Sequence, residues 1–331
     1  MRSSEIECHG GGSPPHRMAD TVAEQALRGL LARQKWLPTW LLYDEAGGEL
    51  FERITALPEY YLGRAETEIL SRWSDDIVGS IADDDGKVTL AELGAGAATK
   101  TEVLVESALR SGRQVEYLAC DIAPAPLLAA EARLRSRFPE VTVRTFVGTH
   151  REAGPAIGAL SGRQSVLFLG SSIGNYADAA AAALLAEARR HLRHGATFLV
   201  GTDLKKDPRQ LQSAYDDSAG VTAAFTLNVL DRLNRELGCS FRRGAFRHVA
   251  EWDEATSNVV LSLEATTSQR VALGALGTEV AFRAGERVRI EICAKYDDAR
   301  VDGIFEEAGL SRLRSFVDDG GRYAVHAAEL A

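Results

Sequence analysis

The feature that most constrains the fold is a glycine-containing segment at residues 88–101, which reads VTLAELGAGAATKT. Its first half is apolar enough for a buried strand, and Gly94 and Gly96 permit a sharp turn that lets the backbone approach a ligand closely. The helix that follows would present its first amides to that ligand. Asp121 ends a second apolar stretch 25 residues after Gly96, where a β-α-β unit places an acceptor for two ribose hydroxyls. The segment therefore predicts an α/β unit that binds a nucleoside-containing cofactor.

The residues around this turn favour S-adenosylmethionine over a dinucleotide. A dinucleotide fold places a third glycine where this chain has Thr99, so that the helix can pack closely beside a pyrophosphate. Glu92 puts a negative charge just before the turn, which would repel a pyrophosphate and attract the sulfonium and ammonium groups of S-adenosylmethionine. On these residues alone, a glycine turn without any ligand is the remaining alternative.

The composition limits the class of partner and the compartment. The 331 residues carry a formal net charge of −9 with no Lys/Arg cluster, which argues against a nucleic-acid partner. The four cysteines, at positions 8, 120, 239 and 293, lack the spacing of zinc ligands and fit a reducing cytoplasm. No apolar run reaches membrane-spanning length. We expect no metal, no membrane contact, a disordered tail at residues 1–17, and a monomeric cytoplasmic protein with a small-molecule substrate.

Strands and helices alternate regularly after the glycine turn begins. The predicted strands are 87–93, 116–120, 141–147, 165–169 and 197–201. Helices between successive strands indicate a parallel, doubly wound sheet. A helix at 300–308 and strands at 310–317 and 323–329 would complete seven strands. The intervening residues look inserted, with antiparallel strands predicted at 247–252, 257–268, 278–282 and 287–296, and residues 66–81 are predicted to form one helix before the first strand.

Seven further strings are more specific than α/β composition requires. They are LPEYY at 57–61, FLGSSIGN at 168–175, GTDL at 201–204, AYDD at 214–217, GVTAAF at 220–225, NVL at 228–230 and LNREL at 233–237. With the glycine turn, they make the chain from about residue 20 to the end resemble the S-adenosylmethionine-dependent L-histidine Nα-methyltransferases. Enzymes of that family make hercynine on the route to ergothioneine.

The resemblance implies a class I methyltransferase fold, an α/β Rossmann-like core with a seven-stranded sheet, and a second, mixed α+β substrate-binding lobe. The core would comprise residues 62–206 and 295–331, and the lobe residues 18–61 and 207–294. Cofactor contacts are implied for Glu92, Gly94, Ala95, Gly96, Lys100, Asp121, Thr149 and Gly170. The cofactor would be S-adenosylmethionine, with S-adenosylhomocysteine as its product.

The resemblance also assigns substrate contacts. Asn175 would bind the α-amine, and Tyr43 and Tyr215 the α-carboxylate; these three are the implied catalytic residues. Glu291 and Cys293 would contact the imidazole, and because alternate strand residues point to one face, both would share a wall of the pocket. The remaining implied substrate contacts are Phe51, Tyr60, Gly170 and Leu261.

Three positions depart from the family pattern. Cys293 stands where the family has serine, and a thiol is a weaker hydrogen-bond partner. Thr149 replaces an aspartate that reads the adenine amino group, and residues 62–64 read LGR where PTR is common. These departures leave open the same transfer to another amino acid or natural-product amine, such as tryptophan, tyrosine or a derivative. A non-catalytic ligand-binding homologue and a dinucleotide oxidoreductase are more distant alternatives.

Several nearby polar residues have structural interpretations. His150 is predicted to be a surface histidine rather than a general base. Asp216 and Asp217 are predicted to order the segment that carries Tyr215 rather than to act as paired catalytic carboxylates. Tyr43 and Tyr60 would, without the resemblance, be read as core aromatics of the helical region.

Overall fold

The computed structural model describes residues 15–83 and 85–331. Its strands are β1 (Lys87–Leu93), β2 (Gln114–Asp121), β3 (Thr142–Val147), β4 (Gln164–Phe168), β5 (Thr197–Asp203), β6 (Phe246–Asp253), β7 (Asn258–Ala265), β8 (Gln269–Leu273), β9 (Thr278–Phe282), β10 (Arg287–Ala294), β11 (Leu310–Val317) and β12 (Tyr323–Leu330). Its α-helices are α1 (Pro15–Leu30), α2 (Glu45–Thr55), α3 (Leu62–Arg72), α4 (Ser74–Ile81), α5 (Thr101–Arg110), α6 (Pro124–Arg137), α7 (Gly154–Gly158), α8 (Asp178–Arg189), α9 (Pro208–Ser213), α10 (Val221–Leu237) and α11 (Asp298–Ala308).

Seven strands form the main sheet, in the order β11-β12-β5-β4-β1-β2-β3. The strands β1 to β5 run parallel, β12 pairs antiparallel with β5, and β11 pairs antiparallel with β12. Both β1 and β5 are buried along almost their whole length, because helices cover both faces of a parallel sheet. The predicted α/β, seven-stranded Rossmann-like fold is confirmed, and the chain returns to the sheet through α11, β11 and β12.

Apolar side chains form two buried clusters, one on each face of the main sheet. On one face α8 and α11 pack against each other and against the central strands. On the other face the cluster runs without interruption from α3, α4 and α5 into α10 and the strands β6, β7 and β10. The main sheet and the inserted region therefore share one continuous core.

The inserted region contains two small antiparallel sheets. One has the order β10-β7-β6, the other is the β8-β9 hairpin, and α10 packs against α2 and β6. The chain before α2 joins the edge of β10, since Leu37 N donates to Arg289 O at 2.9 Å and Arg289 N donates to Lys35 O at 3.0 Å. The N-terminal segment and the inserted region thus pack as one layer. The division into a core and a lobe at the predicted boundaries stays a prediction.

Two element predictions are wrong in detail. Residues 66–81 belong to two helices, because Trp73, with φ −109° and ψ 14°, leaves the helical conformation between α3 and α4. The single strand predicted at 257–268 is β7 alone up to Ala265, and the chain then turns before the separate strand β8 begins at Gln269. In the first case the apolar helical spacing continues across a break made by the backbone, and in the second the break falls in the polar segment 266–268.

The predicted disordered tail at residues 1–17 lies almost wholly outside the described residues, and α1 begins at Pro15. Within residues 15–83 and 85–331, every helix is too short or too polar to cross a membrane. In the same part of the chain, no three His, Cys, Asp or Glu side chains are grouped so that they could hold a metal ion.

Candidate active site

The glycine turn joins β1 to α5 at the carboxyl edge of the main sheet, beside the switch point between β1 and β4. Gly94 and Gly96 have φ values of +74° and +51°, in the left-handed region that glycine adopts without strain. Gly96 N donates to Asp121 Oδ2 at 2.8 Å, and Ala123 N donates to Asp121 Oδ1 at 2.9 Å. Apart from its two chain neighbours, no atom of the described residues lies within 4 Å of where a Cβ on Gly96 would stand, so this face of the turn is open to a ligand.

A buried carboxylate, Glu66 of α3, ties the start of α5 to the loop after β4. It accepts hydrogen bonds from Gly170 N at 2.8 Å and from Tyr323 Oη at 2.8 Å, and it pairs with Lys100. Lys100 Nζ lies 3.4 Å from where a Cβ on Gly170 would stand, so these two predicted cofactor residues are neighbours. Sequence reasoning missed Glu66 because nothing local to α3 indicates that its carboxylate reaches the sheet edge.

Glu92 lies behind the glycine turn and only 3% of its surface is exposed. Its Oε2 accepts hydrogen bonds from Thr101 Oγ1 at 2.6 Å and from Tyr117 Oη at 2.5 Å. Burial raises the pKa of Glu92 to about 7, and the two hydroxyl donors oppose that shift. The side chain of Glu92 is therefore buried and only partly ionised near pH 7, and its hydrogen bonds to Thr101 and Tyr117 fix α5 to the sheet. A contact between Glu92 and the cofactor stays a prediction.

Replacing Glu92 with glutamine is expected to remove a pH dependence of stability. The folded protein holds this proton up to a pKa of about 7, whereas the unfolded chain releases it near the ordinary pKa of 4.5. Protonation of Glu92 therefore makes its full contribution to the free energy of unfolding below pH 4.5. This contribution, about 3 kcal/mol at most, is lost as the pH rises to about 7. Urea unfolding measures this effect. Between pH 5 and pH 8 the free energy of unfolding of the wild type should fall relative to that of E92Q. A difference between the two proteins that is the same at both pH values would contradict this role.

The loop after β3 brings Thr149 and His150 to the same edge of the sheet. Thr149 N and Oγ1 both donate to Glu152 Oε2 at 2.8 Å, so this hydroxyl is already engaged. The predicted surface position of His150 is wrong, because its ring is half-buried and edge-on to Phe168, with 5.0 Å between centroids. Its Nε2 lies 3.3 Å from where a Cβ on Gly94 would stand, beside the glycine turn. Burial lowers the pKa of His150, so the imidazole is neutral near pH 7.

All residues predicted to bind the substrate line one cavity between the main sheet and the inserted region. They are Tyr43, Phe51, Tyr60, Gly170, Asn175, Tyr215, Leu261, Glu291 and Cys293. Ile54, Thr222 and Phe225 line the same cavity and were not anticipated, since nothing in the sequence separates them from ordinary core residues. The fold thus brings together side chains that are up to 250 positions apart (Tyr43 to Cys293, 293 − 43), while the role of each one stays a prediction.

Aromatic rings form much of the cavity wall. Tyr43 is edge-on to Phe51 and to Phe225, with centroid separations of 5.5 and 5.4 Å. Tyr60 is edge-on to Tyr215 at 6.1 Å. Edge-to-face pairs are favourable beyond their buried area and hold the rings in place. Walls of this kind exclude water, so the few polar atoms in the cavity decide how a ligand is oriented.

Glu291 and Cys293 reach the cavity because β10 contains a bulge. The register of β10 against β7 shifts between Arg289 and Glu291, and a bulge re-aims the side chains that follow it. Arg289 is exposed, whereas Glu291 and Cys293 are buried and both line the cavity. The two side chains therefore share one strand face, as their spacing predicts.

A carboxylate and an amide face each other in this cavity. Burial raises the pKa of Glu291 to about 7, and Lys295 and a hydrogen bond with Asn175 oppose the shift. Both side chains line the same cavity, and an amide carries both a donor and an acceptor, so Asn175 can place its nitrogen toward the carboxylate and its Oδ1 toward a ligand. The cavity therefore offers an acceptor for an amine N–H next to a carboxylate that titrates near neutrality.

Two sets of hydrogen bonds fix the segment from Tyr215 to Asp217, one at each of these two residues. Asp217 accepts hydrogen bonds from Val221 N at 2.9 Å and from Thr222 N at 2.7 Å, which caps the start of α10. His248 Nε2 bonds to the carbonyl oxygen of Tyr215 at 2.8 Å. Asp217 thus orders this segment, as predicted, and does not line the cavity.

Residues 22–330 match the family model of the S-adenosylmethionine-dependent, histidine-specific methyltransferases. The chain belongs to this family. The histidine N-alpha-methyltransferase of Mycolicibacterium smegmatis is 38% identical over 311 residues, which cover 93% of this chain and 95% of that protein. The histidine N-alpha-methyltransferase of Mycobacterium tuberculosis is 37% identical over 318 residues, covering 95% and 98%. The 4-dimethylallyltryptophan N-methyltransferase of Claviceps purpurea is 28% identical over 342 residues, covering 96% and 97%.

As a member of this methyltransferase family, the chain uses S-adenosylmethionine, and the residues at the sheet edge fit that cofactor. The open face at Gly96 admits a ligand to the backbone, and Asp121 retains lone pairs for hydroxyl groups after its two amide bonds. Lys100, which is paired with Glu66, would also supply a cation for the carboxylate of the cofactor, and neutral His150 would add no positive charge near its sulfonium. When bound, the cofactor supplies an electrophilic methyl group.

Proposed function

We propose that this enzyme transfers methyl groups from S-adenosylmethionine to the α-amine of L-histidine and yields Nα,Nα,Nα-trimethylhistidine (hercynine), the precursor of ergothioneine. The observation that carries the proposal is the buried Glu291 carboxylate, which lines the same aromatic-walled cavity as Asn175. A buried carboxylate is costly without a polar partner, and an imidazole N–H provides one. The two mycobacterial relatives, which are histidine N-alpha-methyltransferases by name, support the same substrate.

The protein's main task in this reaction is to position and desolvate the amine. The attacking nitrogen must be neutral, because its lone pair forms the new N–C bond while the methyl–sulfur bond breaks and its electron pair returns to sulfur. Asn175 Oδ1 accepts an amine N–H and so aims the lone pair, without the negative charge that would stabilise an ammonium. Alignment and the exclusion of water supply most of the rate in such a displacement. The methylated nitrogen then loses a proton before it can accept a further methyl group.

The other cavity residues divide between the two ends of the amino acid. We assign Tyr43 and Tyr215 to the α-carboxylate, because hydroxyl donors bind it without setting a full positive charge against a cationic methyl group. Glu291 and Cys293 take the imidazole nitrogens. Hydrogen bonds at both nitrogens discriminate strongly against side chains of the same shape that lack them.

The test is to incubate the purified protein with S-adenosylmethionine and single amino acids, and to determine product masses. The expected result is a gain of three methyl masses on L-histidine. An unmethylated L-histidine pool in the presence of bound cofactor would contradict the proposal. Failure of S-adenosylmethionine to raise the unfolding temperature would instead indicate a non-catalytic homologue.

A Cys293→Ser variant is expected to methylate L-histidine more efficiently than the wild type. A hydroxyl is a better donor and acceptor than a thiol, and one ordinary hydrogen bond contributes about 0.5–1.5 kcal/mol, so kcat/KM should rise about two- to tenfold. Cys239 is half-buried outside the cavity, and C239S serves as the matched control with unchanged kcat/KM. A lower kcat/KM for L-histidine in C293S would contradict the placement of this residue at the imidazole.

A second candidate is N-methylation of another amino acid or derived amine, such as tryptophan, tyrosine or a derivative. Two observations favour it: Cys293 is a weak partner for an imidazole, and the Claviceps relative, a 4-dimethylallyltryptophan N-methyltransferase by name, matches nearly the whole chain. Glu291 argues against a wholly apolar side chain, because its carboxylate would then lack a partner. Methylation of tryptophan or tyrosine in preference to L-histidine would establish this alternative.

We further propose that the enzyme acts as a monomer in the cytoplasm. All nine residues predicted to bind the substrate converge on one cavity within one copy of the chain, which supports a site that is complete in a monomer. The net charge of −9 disfavours a nucleic-acid partner, and sparse cysteines fit a reducing compartment.

A further inference from the structure

A buried cluster of charged side chains lies against the Tyr215 hydroxyl, and sequence reasoning anticipated none of its other members. Lys295 is fully buried, and its Nζ donates to Tyr215 Oη and to Asp203 Oδ2, each at 2.8 Å. Asp203 is also fully buried, and its Oδ1 accepts further hydrogen bonds from Tyr61 Oη at 2.8 Å and from Lys206 Nζ at 2.5 Å. These contacts link α3, the end of β5 and the end of β10 directly behind the substrate cavity.

The chemistry of the two groups sets the direction of the hydrogen bond between Lys295 and Tyr215. An ammonium has no lone pair, so Nζ donates and the phenol oxygen accepts. The hydroxyl proton of Tyr215 then points away from Lys295 and is available to a group in the substrate cavity, which Tyr215 lines beside Cys293. Asp203 anchors Lys295 so that its Nζ stays 4.6 Å from the centroid of the Tyr215 ring.

Within this cluster two lysines face one carboxylate, although Lys295 also acts on the Glu291 carboxylate of the cavity and Lys206 on Asp318. Two lysines, Lys206 and Lys295, share the single carboxylate of Asp203. The nearby carboxylate of Glu66 is already paired with Lys100. Charges in a poorly solvated site interact strongly, so an anion that accepts from the Tyr215 hydroxyl would be stabilised by the ammonium behind it.

We propose that Lys295 is a positioning residue: together with Asp203, it fixes the Tyr215 hydroxyl as a donor into the cavity and so selects substrates that carry an α-carboxylate. This inference rests on the proposed function, which supplies the acceptor for Tyr215. An amine without the carboxylate, such as histamine, offers the Tyr215 hydroxyl no charged acceptor and brings no anion toward the ammonium of Lys295. A site built around a polar group discriminates strongly against an analogue that lacks that group.

The test is a double-mutant cycle made of K295M, Y215F and the double variant, with kcat/KM measured for L-histidine and for histamine. K295M is expected to lose about 10- to 100-fold with L-histidine, chiefly through KM, and little with histamine, since the hydrogen bond it supports is to a charged group. In the Y215F background the same change should cost less than about threefold, because Lys295 acts through the hydroxyl. Losses that multiply in the double variant, or equal losses on both amines, would indicate a role in the fold alone and overturn the proposal.

Two controls keep the outcome decisive. Unfolding temperature and S-adenosylmethionine binding are measured for each variant, and K295R, which keeps a cationic donor, is expected to recover part of the activity with L-histidine. If K295M does not fold, K295Q, which also lacks the positive charge, replaces it in the same cycle under the same criteria. A wild type that methylates a different amino acid rejects the proposed function, and the cycle is then run on that amino acid and its decarboxylated amine. If the wild type methylates L-histidine but the losses from K295M and Y215F multiply in the double variant, only the role of Lys295 is rejected.

Discussion

Replacement of Asn175 by alanine is expected to lower kcat for methylation of L-histidine by about 10²-fold or more. Asn175 lines the cavity together with Glu291, and on the proposed assignment its amide oxygen accepts from the amine, so its loss frees the amine to rotate away from the methyl group. A misplacement of about 1 Å in a displacement reaction is enough to produce a loss of that size. Single-turnover kinetics with saturating cofactor measure the effect on the transfer step itself.

The matched control is Asn234→Ala. Asn234 also makes two amide hydrogen bonds, to Phe241 N and Phe241 O at 2.8 Å each, but it lies outside the cavity. This control should lower the unfolding temperature and leave kcat nearly unchanged. A loss of less than about threefold in N175A, or an equal loss in both variants, would remove Asn175 from the transfer step.

Replacement of Glu291 by leucine is expected to lower kcat/KM for L-histidine by about 10²-fold while making the protein more stable at pH 8. The activity falls because the imidazole loses its charged acceptor, and a hydrogen bond to a charged group contributes about 1.5–3 kcal/mol. The stability rises because burial lifts the pKa of Glu291 from 4.5 to about 7, so ionisation opposes folding. That cost is absent below pH 4.5 and is complete above pH 7, at about 3 kcal/mol.

A variant that merely damages the fold would lose both activity and stability, whereas E291L is expected to lose activity and gain stability. The gain in stability of E291L over the wild type should be larger at pH 8 than at pH 5, because only the wild type ionises a buried carboxylate in that interval. Glu251, which is exposed and paired with Arg287, provides the control variant E251L, with little change in kcat/KM. Retained activity with L-histidine in E291L would place the imidazole elsewhere in the cavity.

The sequence predicts most of the fold and the residues that surround the cavity. The glycine turn carries a local backbone requirement, so the turn between β1 and α5 could be anticipated, whereas the bond from Gly96 N to Asp121 appears only in the folded chain. The seven-stranded sheet follows from the alternation of apolar strands and helices. Breaks within an apolar pattern, such as Trp73 between α3 and α4, depend on backbone geometry that composition does not encode.

The residues that were missed depend on contacts between distant parts of the chain. His150 follows a loop, and only the folded chain shows that its ring packs on Phe168 beside the glycine turn. Lys295 had a usable signal, since it continues the alternate spacing of Glu291 and Cys293. Its partner Asp203 lies at the end of β5, and no local pattern joins the two.

Methylation of the α-amine of L-histidine is tested by a competition experiment. The wild-type enzyme receives limiting S-adenosylmethionine and an equimolar mixture of the proteinogenic amino acids, and fragmentation mass spectrometry then locates the added methyl groups. We predict that the methyl groups accumulate on the α-nitrogen of histidine, up to three on one molecule, while the other amino acids stay unmodified. Methyl groups on a ring nitrogen of histidine, or on a different amino acid, would contradict the assignment of Asn175 and Glu291.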